Sequence, residues 1–361
     1  MDGDLADARA GRDPLACGQG TARPSGHGFS ELGVRMRALV TGGTGFVGSH
    51  VARALADAGH SVHVLMRKSS KTVALAGVDY EPAYGDVVEP DALRAAMDGC
   101  DWVFHVAAVA DYWRADPGRM MRINVDGTAN VLSAARDAGV KRVVFTSSAA
   151  AVGLLDDRPS DESVPFNLPP EQFPYGYSKV LAERVVSEAV RAGQEVVTVN
   201  PVVVMGPGDL NQISGSMVIE TKQRGRWMPV PSGGASYVDV RDVARWQIRA
   251  AEDGTPGERY LLGTANFTHR EWFGLIADVV GVPRSIVPVP RLVSPLVAGA
   301  VALGRRIGLD LPLDANQVRL SARGVYFRYE KAWQAFGAPQ IDMRQSLIDT
   351  AAWYEAQGLL V

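Results

Sequence analysis

Arg37-Ala-Leu-Val-Thr-Gly-Gly-Thr-Gly-Phe-Val-Gly48 is the most informative segment of this sequence. Its apolar first residues predict a buried strand, and the periodic residues after the glycines predict a helix. Gly42 permits a tight turn, Gly45 lets the backbone approach a pyrophosphate at the helix N-terminus, and Gly48 permits close packing of helix on strand. The three glycines in this strand–turn–helix context therefore predict a dinucleotide-binding unit.

The same alternation of strand and helix continues through the first half of the chain. Apolar runs predict strands at 37–41, 62–66, 78–83, 101–106, 141–146 and 195–199. Helical periods lie between them at 46–58, 90–98, 117–138 and 176–192. Apolar strands separated by helices are typical of parallel strands covered on both faces. The predicted fold class is therefore α/β, with a Rossmann doubly wound parallel sheet.

Beyond residue 206 the alternation breaks down. Helical segments are predicted at 212–225, 239–252, 268–281, 291–307, 314–323 and 343–357. We expect a disordered N-terminal extension over 1–35, which lacks the apolar core of a secretory signal. A dinucleotide-binding domain should follow over 36–205. A smaller, mostly helical substrate lobe should occupy 206–361, with 236–252 returning to the main domain.

Composition excludes several classes of protein. With 37 Lys+Arg against 40 Asp+Glu, the chain has no basic surplus for a nucleic-acid partner. Its two cysteines show neither zinc spacing nor a disulfide framework, so we expect no metal and a reducing, cytoplasmic location. No apolar run is long enough to span a membrane. The longest, Leu292–Leu303, is predicted to be a helix, with burial favoured over a membrane-surface role.

The residues after the second predicted strand indicate which cofactor is bound. An acidic side chain there would accept a hydrogen bond from the 2′-hydroxyl of NAD. This chain has Arg67 and Lys68 instead. A guanidinium suits a 2′-phosphate. We therefore expect NADP(H), with NAD(H) as the alternative if Arg67 is only a solvated loop cation.

Three residues further along supply acid–base chemistry. Tyr175 and Lys179 are four residues apart on a predicted helix and share one face. An ammonium lowers the pKa of a nearby phenol, which can then exchange a proton with a substrate oxygen. Ser148 follows a predicted strand, at the sheet edge where ligands bind, and can hydrogen-bond the same oxygen. We therefore predict Ser148, Tyr175 and Lys179 as catalytic residues; Tyr177 is a rival at the wrong spacing.

In this order the motifs resemble those of the extended short-chain dehydrogenase/reductase family, within the NAD-dependent epimerase/dehydratase superfamily. The resemblance covers residues 36 to about 358. It rests on Thr41–Gly48, Gly85-Asp86, Asp101–Ala108, Asn124–Thr128, Ser148, Tyr175 with Lys179, Asn200-Pro201 and Gly206–Gly208. It implies hydride transfer at a carbonyl or alcohol carbon, with Tyr175 transferring the proton, Ser148 orienting the oxygen and Lys179 also holding the nicotinamide ribose.

The resemblance also implies which residues contact the cofactor. Asp86 and Val87 would meet the adenine, Ala107 and Ala108 would line the cofactor, and Pro201 would pack near the nicotinamide amide. Asn124 would support the helix and the water network near the site. The remaining expected contacts are Thr44, Phe46, Val47, Thr146 and Val203.

Two subgroups of this family compete for the sequence. Nucleotide-sugar epimerases and dehydratases carry an arginine just before the segment 237–244, and Arg-Pro in place of Asn200-Pro201. Here Ala235 and Ser236 stand at the first position and Asn200 at the second. The sequence looks more like the dihydroflavonol-4-reductase-like reductases and the hopanoid-associated sugar epimerase-like group. We therefore expect an NADP-dependent reductase of ketones or aldehydes. The alternatives are an NAD-dependent nucleotide-sugar epimerase or dehydratase, and an NADP-binding regulatory protein.

The substrate is expected to be a small molecule bound between the two lobes. The candidate contacts are Tyr112, Trp113, Ser148, Asn200, Trp227 and Met228. Because most of them are aromatic or apolar, an apolar or aromatic carbonyl compound would fit, although packing between the lobes is an equal alternative. Family analogy also implies a homodimer formed through the helices 117–138 and 176–192.

Overall fold

A computed structural model describes residues 35–110, 116–225, 228–283, 286–309 and 314–360. Its strands are β1 (Arg37–Thr41), β2 (Ser61–Met66), β3 (Glu81–Tyr84), β4 (Trp102–His105), β5 (Arg142–Thr146), β6 (Val196–Pro201), β7 (Val203–Met205), β8 (Met228–Pro231), β9 (Gly234–Asp239), β10 (Arg259–Leu262), β11 (Ala265–Thr268), β12 (Ile286–Val289) and β13 (Gly324–Val325). The N-terminal extension predicted over 1–35 lies outside the described residues, apart from Arg35.

The helices of the described residues separate and flank these strands. They are α1 (Phe46–Asp57), α2 (Pro90–Met97), α3 (Pro117–Met121), α4 (Gly127–Asp137), α5 (Pro174–Arg191), α6 (Ser216–Arg224), α7 (Val240–Asp253), α8 (His269–Val280), α9 (Ser294–Arg306), α10 (Ala315–Ser321), α11 (Glu330–Phe336) and α12 (Met343–Ala356).

The centre of the fold is a parallel sheet of seven strands within the described residues, in the order β10-β6-β5-β4-β1-β2-β3. Neighbouring side chains of β1 enter different cores, because successive strand residues point to opposite faces. Val40 belongs to the core that also contains residues of α1, α7 and α11, whereas Leu39 belongs to the core that contains residues of α2, α4 and α5. The predicted doubly wound α/β class is therefore confirmed.

The segment 236–252 was expected to return to the main domain. Its first residues lie in β9, which pairs with β7, β11 and β13 in a second sheet. Asp239 ends β9 and caps α7 by accepting from the Arg241 amide at 2.8 Å. Helix α7 then packs on α1, and the short strand β10 supplies the seventh position beside β6.

The helix predicted over 117–138 is not continuous. Helix α3 is followed by a π-helical turn over Arg122–Asp126, and α4 begins only at Gly127. A π-turn inserts one extra residue into the helical repeat and is frequently found at functional sites. Here it carries the buried Asn124.

The C-terminal lobe is helical, but it also contains small sheets that the sequence did not predict. The second sheet and the ribbon β8-β12 pack with α6, α8 and α12 around a separate core. In that core Tyr237 stacks on Trp272 with ring centroids 3.7 Å apart. These strands are short and rich in Gly and Pro, so alternation of apolar residues is a poor guide to them.

Burial of Leu292–Leu303 was predicted wrongly. Its predicted helix is divided into a 3₁₀ turn (Arg291–Val293) and α9, and Leu292, Leu296 and Leu303 are exposed. The inner face of α9 is formed by small residues instead. In the described part of the chain, no helix combines the length and apolar character needed to cross a membrane.

Candidate active site

The candidate site lies at the carboxyl edge of the central sheet, beyond β1, β4, β5 and β6. The turn after β1 is tight: Gly42 has a φ of +71°, and the Gly45 amide donates to its carbonyl at 2.9 Å. A Cβ at Gly48 would lie 2.3 Å from the same carbonyl oxygen, so α1 packs closely against the turn. Both glycines are therefore required by the protein's own geometry, as the sequence indicated.

The backbone conformation of Gly45, unlike that of Gly42, does not require a glycine. Its φ is −91°, which any residue can adopt. Among the described residues, an added Cβ would meet one atom within 4 Å, the Gly42 oxygen at 3.2 Å. Gly45 also starts α1 with no side-chain cap. A helix start of this kind presents backbone N–H groups to an anion, so the turn fits the pyrophosphate of a dinucleotide.

Tyr175 and Lys179 lie on the first turns of α5, and both side chains are buried. The Lys179 ammonium donates to the Thr146 carbonyl at 2.9 Å and lies 5.2 Å from the centroid of the Phe145 ring. Burial lowers the pKa of Lys179 to about 8, against an opposing effect of Glu183. The end of β5 thus holds an amine that is poised near neutrality, one helical turn from a buried phenol.

The structure separates Ser148 from its neighbour Ser147. Ser147 donates its hydroxyl proton to Glu183 Oε1 at 2.5 Å, so it belongs to a protein-internal network. Ser148 instead caps the 3₁₀ turn Ala149–Ala151, and its Oγ accepts from the Ala150 amide at 3.2 Å. The hydroxyl proton of Ser148 is not used in that bond, and it can be donated to a substrate oxygen.

Tyr177 lies in a different environment from Tyr175. Its ring is half-buried and tilted against Phe166 at a centroid distance of 6.3 Å. Residues two apart on a helix do not share a face. Tyr177 therefore serves as a natural control for Tyr175.

Asn124 connects three segments around the site. Its Oδ1 accepts from the Val109 amide at 2.8 Å, and its Nδ2 donates to the Val109 carbonyl at 3.1 Å and to Ser178 Oγ at 2.9 Å. Ser178 Oγ in turn donates to the Tyr175 carbonyl at 2.7 Å. The π-turn, the loop after β4 and the start of α5 are thereby held together by one side chain.

Asn124→Ala is expected to lower the free energy of unfolding by about 2–4 kcal/mol, because it leaves both Val109 backbone groups without this partner. Urea unfolding measures the effect. Asn130→Ala on α4 is a matched control: its Nδ2 makes a bond to the Val87 carbonyl at 3.1 Å, and a loss of about 1 kcal/mol is expected. Equal losses in the two variants would contradict the connecting role of Asn124.

His105 lies behind the site rather than in it. It is 1 % exposed, and its ring nitrogens face Thr41 Oγ1 at 2.8 Å and Thr128 Oγ1 at 3.0 Å. Burial, aided by Lys179, lowers its pKa to about 3. A neutral histidine held between two hydroxyls packs the core, as the sequence indicated, and is not poised for acid–base catalysis.

A partly buried polar network behind the site was missed by the sequence analysis. Glu183 accepts from Ser147, from Asn200 Nδ2 at 2.7 Å and from Arg259 Nη1 at 2.9 Å. Asn200 Nδ2 also donates to the Ser148 carbonyl at 3.0 Å. One signal was available, since Glu183 lies one turn beyond Lys179 on the same helix face. The partner of Glu183 in this network, Arg259, lies on strand β10, which the sequence analysis did not predict.

Other predicted cofactor residues lie around the turn and the sheet edge. Arg67 and Lys68 are exposed directly after β2, and Asp86 is half-buried. Val87 is buried in the core. The backbone of Ala107 lies beside Gly42, where a Cβ on the glycine would come within 2.7 Å. The other half-buried side chains among the predicted cofactor contacts are those of Thr44, Phe46, Val47, Ala107, Ala108 and Val203.

The predicted substrate contacts are placed less uniformly. Tyr112, Trp113 and Trp227 lie outside the described residues. Asn200 is fully buried, with its amide nitrogen used as above and its Oδ1 without a hydrogen-bond partner in the described part of the chain. Met228 packs in the core of the C-terminal lobe.

Two further predicted residues end central strands. Thr146 donates its hydroxyl to Gln247 Oε1 at 3.0 Å, and Pro201 is buried at the end of β6.

Comparison with known proteins gives consistent results. A profile of the NAD dependent epimerase/dehydratase family matches residues 38–263. A Synechocystis protein with the provisional name dihydroflavonol 4-reductase is 35% identical over 333 residues, covering 89% of this chain and 95% of its own. Cinnamoyl-CoA reductase 1 of Oryza sativa subsp. japonica is 34% identical, covering 71% of this chain and 77% of its own.

A solved structure shows the same fold in nearly the whole chain. DesIV, the dTDP-glucose 4,6-dehydratase of Streptomyces venezuelae solved with NAD and TYD bound, superposes with a TM-score of 0.74 at 26% identity. The match covers 90% of this chain and 99% of that one. Reductases and a sugar dehydratase are thus both among the proteins that this chain resembles.

Proposed function

Because the chain belongs to the NAD dependent epimerase/dehydratase family, we propose that it is an NADP-dependent oxidoreductase that reduces a ketone or aldehyde, or oxidises the corresponding alcohol. The observation that carries the proposal is that Tyr175 and Lys179 are both buried one turn apart on α5, with the Lys179 ammonium on the Thr146 carbonyl at the carboxyl end of β5. This is the edge at which ligands bind in open parallel sheets.

The β1–α1 turn fits a dinucleotide, since Gly45 leaves the helix start accessible to a pyrophosphate. Gly42, Gly45 and Gly48 would shape this cradle, Asp86 would face the adenine, and Lys179 would hold the ribose next to the nicotinamide. When bound, the nicotinamide supplies or accepts the hydride.

The chain's own residues would manage the substrate oxygen. In the reductive direction Tyr175 donates its phenolic proton to that oxygen as negative charge develops there. Ser148 donates a hydrogen bond to the same oxygen and orients it. The Lys179 ammonium lowers the pKa of the Tyr175 phenol and stabilises the phenolate that remains.

Arg67 would select the cofactor. Its exposed guanidinium follows β2, where it can meet a 2′-phosphate in a forked, charge-assisted contact. Arg67→Ser is expected to raise KM for NADPH about tenfold or more, with little change in KM for NADH. Steady-state kinetics with each cofactor measures this. Lys71→Ser, a nearby exposed cation, is the control; equal effects on both cofactors would argue against NADP selection by Arg67.

The experiment that tests the proposed activity is NADPH and NADH oxidation across a panel of carbonyl compounds. Aromatic ketones and aldehydes, dihydroflavonols, 3-oxoacyl compounds, oxosteroids and keto sugars cover the chemistry. Consumption with NADPH preferred is expected. Tight cofactor binding without consumption would favour the epimerase or dehydratase alternative instead, and nucleotide sugars would be the next substrates.

One observation weighs against a nucleotide-sugar substrate. The positions where sugar epimerases carry arginines hold Ala235 and Ser236, and Asn200. Ser236 and Asn200 are both buried and use their side chains in protein hydrogen bonds. Ser236 Oγ accepts from the Phe327 amide at 3.0 Å. Neither side chain can supply the positive charge that a diphosphate would need.

A further inference from the structure

The segment Arg291–Leu309 exposes its large apolar side chains. The exposed fractions are 91% for Leu292, 75% for Leu296, 62% for Leu303 and 70% for Ile307. Their spacing of four, seven and four residues places them along one side of α9 and its adjoining turns. We call these four residues the leucine stripe. Such a row of large apolar groups marks an interaction surface rather than scattered surface residues.

The opposite side of α9 explains why the stripe is exposed. Ser294 is 5% exposed and Ala298 is fully buried, so the face turned to the protein carries small side chains. An ordinary surface helix has the reverse arrangement, with its large apolar residues in the core. The exposed side is therefore the more apolar of the two, and the protein itself does not cover it in the described structure.

The charged residues within the segment that carries the stripe all have one sign. From Val279 to Leu309 the sequence contains no Asp or Glu, and its ionisable side chains are Arg284, Arg291, Arg305 and Arg306. Arg291 and Arg306 are exposed at the two ends of the stripe. Arg305 faces Asp314 at 3.4 Å. A cationic segment in a chain of net charge −3 indicates an anionic counterpart.

These features disfavour a simple pairing of two copies through the stripe. In a two-fold pairing the arginines at the ends would face arginines, whether the two helices run parallel or antiparallel. No carboxylate within the segment would offset that repulsion. An anionic lipid surface accommodates both features, because the acyl boundary takes the apolar stripe and the headgroups meet the arginines.

We propose that α9 and its flanking turns form a membrane-surface docking site, with the leucine stripe inserted at the headgroup–acyl boundary of an anionic bilayer. The helix has 13 residues, about 20 Å at 1.5 Å per residue, which is too short to span the hydrocarbon core. It therefore lies on the bilayer rather than crossing it. This inference does not depend on the reaction that the enzyme catalyses.

Co-sedimentation of the full chain with vesicles tests the proposal. We expect the chain to bind vesicles made of phosphatidylglycerol and phosphatidylcholine in equal amounts. Binding to vesicles of phosphatidylcholine alone should be weaker, and high salt should weaken binding to the mixed vesicles. The double variant Leu296→Asp/Leu303→Asp should bind the mixed vesicles about tenfold less or weaker still. The variant Arg291→Glu/Arg306→Glu should lose the preference for anionic vesicles.

Ile348→Asp on α12 is the matched control, since Ile348 is also an exposed apolar residue. This variant should bind vesicles as the original chain does. Thermal unfolding shows that each variant is folded. If the original chain bound neither kind of vesicle, the proposal would be overturned. It would also be overturned if sedimentation velocity showed a dimer that the Leu296→Asp/Leu303→Asp variant dissociates, because the stripe would then be covered by a second copy.

Discussion

Tyr175→Phe is expected to lower kcat for carbonyl reduction by about 10²- to 10⁴-fold while leaving the Kd for NADPH nearly unchanged. The substitution removes one oxygen from a side chain that is 6% exposed, so the packing at the start of α5 is preserved. The missing group is the hydroxyl proposed to donate a proton to the substrate oxygen. The effect should therefore appear in kcat and kcat/KM together, as for an interaction made in the transition state.

Tyr177→Phe on the same helix is the control for this variant. Tyr177 carries the same hydroxyl two residues away, but its ring lies beside Phe166 and on a different face of α5 from Tyr175. Activity close to that of the original chain is expected. Single-turnover hydride transfer with NADPH measures both variants. Full activity in Tyr175→Phe would rule out the proposed proton transfer, and a loss confined to Tyr177→Phe would assign it to the other tyrosine.

The main sheet could be predicted from the sequence because its signals are local. The tight turn at Gly42, the uninterrupted apolar strands and the one-turn spacing of Tyr175 and Lys179 each depend on a few consecutive residues. The structure confirms the doubly wound sheet that these signals indicate. It also places Tyr175 and Lys179 together as buried neighbours on α5.

What could not be predicted depends on partners distant in the sequence. The π-turn at Asn124 is held by Val109 and Ser178, 15 and 54 residues away. The bond between Glu183 and Arg259 joins residues 76 apart, one of them on a strand with little alternation. The apolar composition of Leu292–Leu303 indicated burial, but burial also needs a surface to pack against, and composition carries no information about that surface.

Lys179→Met is expected to abolish most activity and, unusually, to stabilise the protein at pH 7. Met keeps the length and apolar stem of the side chain but removes the ammonium that the proposed mechanism places beside the Tyr175 phenol. We expect kcat to fall about 10²-fold or more, with a rise in KM for NADPH because the proposed ribose contact is lost. Steady-state kinetics measures both.

The stability gain follows from the pKa of Lys179, which burial lowers from 10.5 to about 8. Below about pH 8 the amine is protonated in both folded and unfolded chains, and burying the charge costs roughly 3 kcal/mol at 1.36 kcal/mol per pKa unit. Between pH 8 and 10.5 the unfolded chain binds more protons, so the stability of the original chain rises with pH.

Removing the amine relieves that cost but also removes its bond to the Thr146 carbonyl, worth about 1–2 kcal/mol. A net gain of about 1–2 kcal/mol is therefore expected for Lys179→Met in urea unfolding at pH 7, shrinking as the pH rises towards 10. Lys141→Met, which removes an exposed lysine paired with Asp101, should show no such pH-dependent gain. A variant less stable than the original chain at pH 7 would mean that Glu183 compensates the buried charge. The site would then hold a stabilising ion pair instead of an amine kept ready, at some cost in stability, for catalysis.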